Sequence, residues 1–339
     1  MRLLDRVAQC HEPLILPCQG SKPLEVAGAS RFAQQVAACP LRFVLGDDLT
    51  GASTDLAYAD GARLVGCLDL LRMPAPQFWI EWNDEVHMRV IHETQSIARF
   101  DAAAPGRKVG MLLQSCANGF GAVARTFWLD AAAAECAEPT VSPLETHFDL
   151  RGEFASKGTQ DMFSGGFLDA TDGANAATAS LFGYVKFRFD QSWSGYYRAA
   201  AADAAFKRRL VLDSVQSVAW DAPFLLAFLL LLSARNATRS LPVCRAAINR
   251  KRLASGRRPL LDHVEVNATL EAVATAEAAG DMSGRQPPRL HHVRGHLVRR
   301  DQRVFWRVPH LRGNAMRGAV RSRTVCLSFC RPSDREARV

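Results

Sequence analysis

The stretch KVGMLLQSCANGFGAVARTFW, Lys108 to Trp128, decides the fold. Two apolar and aromatic runs, Lys108–Leu113 and Val123–Trp128, flank a short segment that carries Gly119 and Gly121. Short runs of this kind around glycine punctuation are the pattern of antiparallel strands joined by a tight connection. Upstream, Phe78–Trp82 and Met88–Ile91 read as two further strands, so the spacing predicts an antiparallel meander. Downstream, Tyr184–Phe189 alternates apolar with polar and reads as one more strand.

Helical periodicity surrounds these runs. From Thr50 to Leu71, apolar residues recur three to five apart (Leu56, Ala59, Leu64, Leu68, Leu71), and the pattern stops before Pro74 and Pro76. Tyr197–Leu212 reads as an amphipathic helix and Pro223–Ala237 as a buried one. Arg245–Arg258 reads as a basic turn or helix. Residues 1–40, broken by Pro13, Pro17 and Pro23, read as an irregular lead-in. Together these predict an α+β fold: an antiparallel meander with packed helices and a C-terminal β-hairpin. The expected layout is an N-terminal region 1–155, a flexible Gly/Ser/Asp-rich loop 156–176, a strand and helical region 177–277, a linker 278–288 and a basic C-terminal β segment 289–339.

Composition limits the classes of function. With 339 residues, 48% hydrophobic and 22% charged, the chain is globular. Met1–Gly20 has no apolar core between a basic start and a cleavage site, which points to a cytoplasmic protein. The longest apolar run, Pro223–Ala234, spans a dozen residues where a bilayer helix needs about twenty, so a core helix is expected and no membrane partner. Nine cysteines without a Cys-x-x-Cys pair read as reduced thiols.

The net charge of +8 is uneven. Residues 289–339 hold thirteen arginines against Asp301, Asp334 and Glu336, so this tail carries +10 and the rest of the chain −2. Such a field attracts phosphate; the alternative is an arginine-rich sheet docked on acidic neighbours.

Within the tail, His292-Val293-Arg294-Gly295 recurs as His310-Leu311-Arg312-Gly313, and Arg299–Gln302 is polar enough to turn between them. A hairpin would bring the two copies together. Arg294, Arg299, Arg300, Arg307 and Arg312 are then candidate phosphate contacts, with Trp306 or Phe305 as stacking groups. A catalytic reading uses His292, His296 and His310 as acid and base beside Arg294 and Arg312, a metal-independent nuclease. A structural reading gives Gly295 and Gly313 to a bulge, the arginines to buried carboxylates and the histidines to backbone carbonyls. A zinc site on His292 and His296 lacks a nearby cysteine pair, and no metal or cofactor is expected.

Two other segments stand out. In LRFVLGDDLTGAS, the run Asp47-Asp48-Leu49-Thr50-Gly51-Ala52 resembles the N-terminal motif of four-carbon acid sugar kinases. That resemblance stops at Ala52, with no later glycine-rich nucleotide-binding segment, and capping of the following helix by Asp47, Asp48 or Thr50 accounts for the same residues. Among the scattered carboxylates (Glu85, Glu145 and Asp149 are others), Glu81 lies between Trp79 and Trp82 and reads as a buried partner for a tail arginine.

Three segments taken together, Pro74–Trp82, Leu231–Leu261 and His291–Gly313, resemble a group of uncharacterised bacterial proteins carried by phages and prophages. In that group the tail has a His-x-x-Arg-Gly-His strand, a Trp-containing strand and His-x-Arg-Gly. Here these are His291–His296, Phe305-Trp306 and His310–Gly313. The chain departs at Leu297, where an aromatic is usual, and in Thr324–Phe329, which lacks a tyrosine. The resemblance implies no particular activity; it implies a phage-related, cytoplasmic, nucleic-acid-associated role. The expected function is binding of nucleic acid or another polyanion through the tail, with nuclease activity or binding of a host protein as alternatives. Nothing in the sequence specifies an oligomeric state.

Overall fold

A computed structural model of the chain describes residues 1–10, 14–15, 30–59, 61–95, 106–117, 119–130, 139–151, 167–168, 181–193, 197, 203–269, 289–293, 295–307, 310–312 and 314–319. They form two compact units: residues 1–269 with 297–306, and residues 270–296 with 307–339. The expected loop 156–176, save residues 167 and 168, and the expected linker 278–288 lie outside the described residues.

The first unit is built on a nine-stranded mixed sheet. Its strands are β1 (Leu14–Ile15), β2 (Leu41–Leu45), β3 (Gln77–Asn83), β4 (Lys108–Ser115), β5 (Gly121–Leu129), β6 (Thr140–Asp149), β7 (Val185–Phe189), β8 (Thr238–Val243) and β9 (His263–Ala268). Spatial order is β1-β6-β5-β4-β3-β2-β9-β8, with β7 also pairing β6. The run β3-β4-β5-β6-β7 is the antiparallel meander. Beyond it, β2 lies parallel to both β3 and β9. Strands from both sides of the 156–176 segment thus share one sheet.

Helices cover both faces. On one side lie α1 (Leu3–Gln9) and α2 (Ser30–Ala38), where an irregular lead-in was expected. On the other lie α3 (Asp47–Ala59), followed by the short α4 (Gly61–Val65), α5 (Asp84–Gln95), and α7 (Asp221–Ser233), which follows α6 (Ala204–Ala219). Alternation along β3 explains the division. Trp79 meets Phe127 and Glu81 reaches α1, whereas Phe78 stacks near Phe43 and Trp82 near Phe224 of α7. The strand is buried on both faces, and four of its five buried residues are apolar. Gly110 of β4 is part of this fit: a Cβ there would stand 2.3 Å from the Trp79 ring.

Three expectations are corrected. Met88–Ile91 belongs to helix α5, because Val86, His87 and Ile91 point one buried stripe at α3 while Glu85 and Arg89 stay exposed. A four-residue window could not separate a buried helical turn from a strand. The helix expected over Thr50–Leu71 breaks after Ala59 into α4 and a 3-10 turn at Leu68–Leu70. Among the described residues Glu81 is partnered by α1 rather than by the tail: its carboxylate accepts the Leu3 and Leu4 amides at 3.0 and 2.9 Å, seating the start of α1 on the sheet. Burial pushes its pKa up, and those amides oppose the shift.

Helix α7 is buried from Asp221 through Leu231, as expected for a core helix. With the end of α6 it makes Leu210–Ser233, long and apolar enough by composition to cross a membrane, yet 83% of that window is buried inside the protein. Beneath α7, Thr54 Oγ1 lies 2.9 Å from His87 Nδ1, and Asp221 Oδ1 lies 3.6 Å from Nε2. Burial forces this pair toward neutrality: His87 is lowered to about 3 and Asp221 is raised well above the usual carboxylate range. The five cysteines among the described residues form no disulfide with one another.

The C-terminal hairpin joins β11 (His296–Arg300) to β12 (Arg303–Arg307) through Asp301 and Gln302, with Asp301 at φ 51°. In the second unit, β10 (Arg289–Val293) pairs antiparallel with β13 (His310–Arg312) and parallel with β14 (Asn314–Ala319).

Candidate nucleic-acid interface

Residues 235–261 hold eight lysines and arginines and no carboxylate. They form β8, which is one edge of the large sheet among the described residues, and helix α8 (Ala246–Ala254), which leads back into β9. No residue of α8 is buried. Only Asn249 and Arg252, one turn apart, are half-buried, so the helix stands on a narrow foot and offers the rest of its surface to solvent.

That foot is tightly made. Asn249 Nδ2 donates to the Leu260 carbonyl at 2.8 Å and its Oδ1 accepts the Leu260 amide at 2.7 Å. Arg252 Nε donates to the Arg258 carbonyl, and Gly256, at φ 69°, closes the helix in the left-handed conformation that glycine adopts without strain. At the base, Asp262 accepts the Arg245 amide at 2.6 Å. Arg258 then donates to the Gln9 carbonyl at 2.7 Å and Gln9 Nε2 to the Pro259 carbonyl at 3.0 Å, tying the return segment to α1. The backbone is fixed while the charged ends are not. Arg239, Arg250, Lys251 and Arg257 are exposed and have no side-chain partner among the described residues. Leu241, Ile248 and Leu253, at 57%, 45% and 61% exposure, stand among them.

The tail residues are divided differently. Leu297 and Val304 are buried in the main core and Trp306 is half-buried against it. The Arg235 amide donates to the Val304 carbonyl, and the Trp306 amide to the Arg235 carbonyl. Trp306 therefore serves packing before stacking. Arg299 grips both oxygens of Asp69 at 2.8 Å and the Gly66 carbonyl at 2.7 Å, so it anchors the hairpin. Arg300 and Arg307 are exposed, as is Arg303.

The two His-(Val/Leu)-Arg-Gly units do meet along β10 and β13: His291 lies opposite Arg312, His292 opposite Leu311 and Val293 opposite His310. His292 and His310 thus occupy neighbouring positions of the ladder rather than facing positions. Arg294 and Gly313 lie outside the described residues. His296 opens β11.

Asp47 and Asp48 begin α3 directly after β2. Asp48 accepts the Leu49 amide at 2.7 Å and the Ala268 amide at 3.1 Å, and Thr50 Oγ1 donates to the Gly46 carbonyl at 2.9 Å. Asn83 donates to Asp47 at 3.4 Å. These bonds knit α3 to the ends of β9 and β3. A Cβ at Gly46 would stand 2.1 Å from Asn267 Oδ1 and 2.7 Å from Asp48 Oδ1, so those side chains would have to shift. Burial raises the Asp48 pKa. No group of three or more metal-ligating side chains is found among the described residues.

The α8 cations were not among the candidate contacts chosen from sequence, although an acid-free run of this length was a visible signal. The tail drew attention by its larger net charge. Compared with protein-family models, with curated proteins and with solved structures, the chain matches none.

Proposed function

We propose that the protein binds nucleic acid through its phosphates, and that the β8–α8 edge is the principal contact. One observation supports this reading: residues 235–261 hold eight cations and no carboxylate, most of those cations are exposed, and hydrogen bonds tie the backbone that carries them. Phosphate contacts need unpaired, solvated guanidinium and ammonium groups, and Arg239, Arg250, Lys251 and Arg257 supply them. Exposed tail arginines, Arg300 and Arg307 among them, add to the attracting field. This agrees with the nucleic-acid-associated role implied by the resemblance to phage-carried proteins.

The test is binding of a labelled duplex and a labelled single strand by the full chain across a salt series. The combined substitution Arg250→Gln, Lys251→Gln and Arg257→Gln should flatten the slope of log affinity against log salt by about three, close to one per lost phosphate contact. An unchanged slope overturns the assignment to α8. Deleting residues 289–339 is a poor test, because it also removes Leu297 and Val304 from the core.

A second reading rests on Leu241, Ile248 and Leu253, exposed among the cations. They suit an acidic protein surface with an apolar centre, such as a host protein. Leu253→Ser should weaken binding to such a partner and leave nucleic-acid affinity unchanged.

A further inference from the structure

A cavity of about 220 Å³ opens on the face of the sheet beside α2, lined by Arg31, Gln35, Gln77, Gln114, Arg125, Glu145 and Asp190 with Phe32, Leu112 and Val123. One rung of the sheet supplies much of its charge: Leu112, Arg125, Glu145 and Arg188 lie side by side across β4 to β7. An arginine and a glutamate at the centre of a covered sheet are costly unless compensated. Arg125 Nη2 bonds Glu145 at 2.7 Å and Asp190 at 2.6 Å, while Arg31 Nη2 meets the same Asp190 oxygen at 2.7 Å. Arg188 and His147 hold the other Glu145 oxygen at 2.8 and 3.1 Å.

Among the described residues the compensation is incomplete. Three guanidiniums, Arg31, Arg125 and Arg188, face two carboxylates, and Arg125 Nη1, buried, has no hydrogen-bond partner among the described residues. Geometry is not loose: the Arg31 and Arg125 guanidiniums each stack over Phe32, at 4.8 and 4.9 Å from its ring centre, and both lie within 5.8 Å of the Trp193 ring centre. Planar forks held this way are prepared for a planar or tetrahedral oxyanion. The three glutamine side chains give the cavity donors and acceptors for neutral polar groups, although Gln77 already donates to the Gln35 carbonyl.

We infer that this cavity binds a small oxyanion, a carboxylate or phosphate group on a molecule of few atoms, which supplies the missing negative charge beside Arg31 and Arg125. Size limits the occupant: at about 220 Å³ the space lies below the ~300 Å³ at which drug-sized sites begin. The site is independent of the β8–α8 edge.

The test is calorimetric titration of the full chain with inorganic phosphate and, separately, with lactate, which distinguishes the two oxyanions. At least one should bind with a dissociation constant of millimolar order, and Arg31→Gln should weaken it about tenfold or more. The combined Arg250, Lys251 and Arg257 variant should bind it as the parent does. Gln114→Leu, which leaves every ion pair intact, should also weaken binding and serves if Arg31→Gln does not fold. No binding of either probe up to about 20 mM, undiminished binding by both cavity variants, or loss of binding in the α8 variant overturns the inference.

Discussion

Arg125 and Arg250 are the same residue type in opposite circumstances. Arg125 lies in the sheet, stacked on aromatic rings and bonded to two carboxylates; Arg250 stands on an exposed helix with no carboxylate among the eleven residues on either side. The first is held by the fold and the fold is held by it. The second costs the fold nothing and is available to a partner. The C-terminal hairpin lies between these extremes, with Arg299 bound to Asp69 while Arg300 remains solvated. A count of positive charge does not distinguish the three situations, whereas pairing does.

The largest effect expected from this contrast is at Glu145. The Glu145→Gln variant should lose about 3 kcal/mol of stability at neutral pH, because it leaves Arg125 and Arg188 under-compensated. Burial alone would raise the Glu145 carboxyl, but His147, Arg125 and Arg188 hold it down to about 2. A depressed carboxylate stabilises the fold above its unfolded value, and that contribution is lost as pH falls toward its folded value. The gap between parent and variant in urea denaturation should therefore be full above about pH 4.5 and close toward pH 2. A gap independent of pH would sever Glu145 from the ion cluster.

Next in size is Leu297→Ala in the hairpin, expected to cost about 2–4 kcal/mol because the side chain is buried in the main core. Denaturation of this variant separates the hairpin's packing role from its charge. Arg299→Gln removes an exposed but two-pronged ion pair and should cost no more than about 1 kcal/mol. Smallest of all, the combined Arg250, Lys251 and Arg257 variant should stay within about 0.5 kcal/mol of the parent, although its nucleic-acid affinity falls. Its partner binding should also be flat between pH 6 and 8, since α8 contains no histidine.

Much of the fold was legible where a run was long and its surroundings uniform. The meander strands around Lys108–Trp128, the buried helix at Pro223 and the turn after Arg300 all follow from local pattern. The register of β2 between β3 and β9 did not, because β2 and its parallel neighbour β9 lie more than two hundred residues apart and leave no local mark. Helix α1 was also missed: seven residues are too short for a clear period, and its start is fixed by Glu81, some eighty residues away. In the candidate interface, the cations of 245–258 were visible as a basic segment, but their exposure was not. The arginine in VARTFW was visible too, yet its two carboxylates come from β6 and from the residue after β7.

By itself the sequence determined the element types of most long segments, the concentration of positive charge in two stretches, and the α+β class. These depend on residue periodicity and composition, which are local. Only the tertiary structure decided which charges are compensated, because an arginine's environment is set by strands and helices brought from distant parts of the chain. The same folding that gives Arg125 two carboxylates leaves Arg250 with none among the described residues, and this difference separates charges that hold the fold together from charges left to solvent.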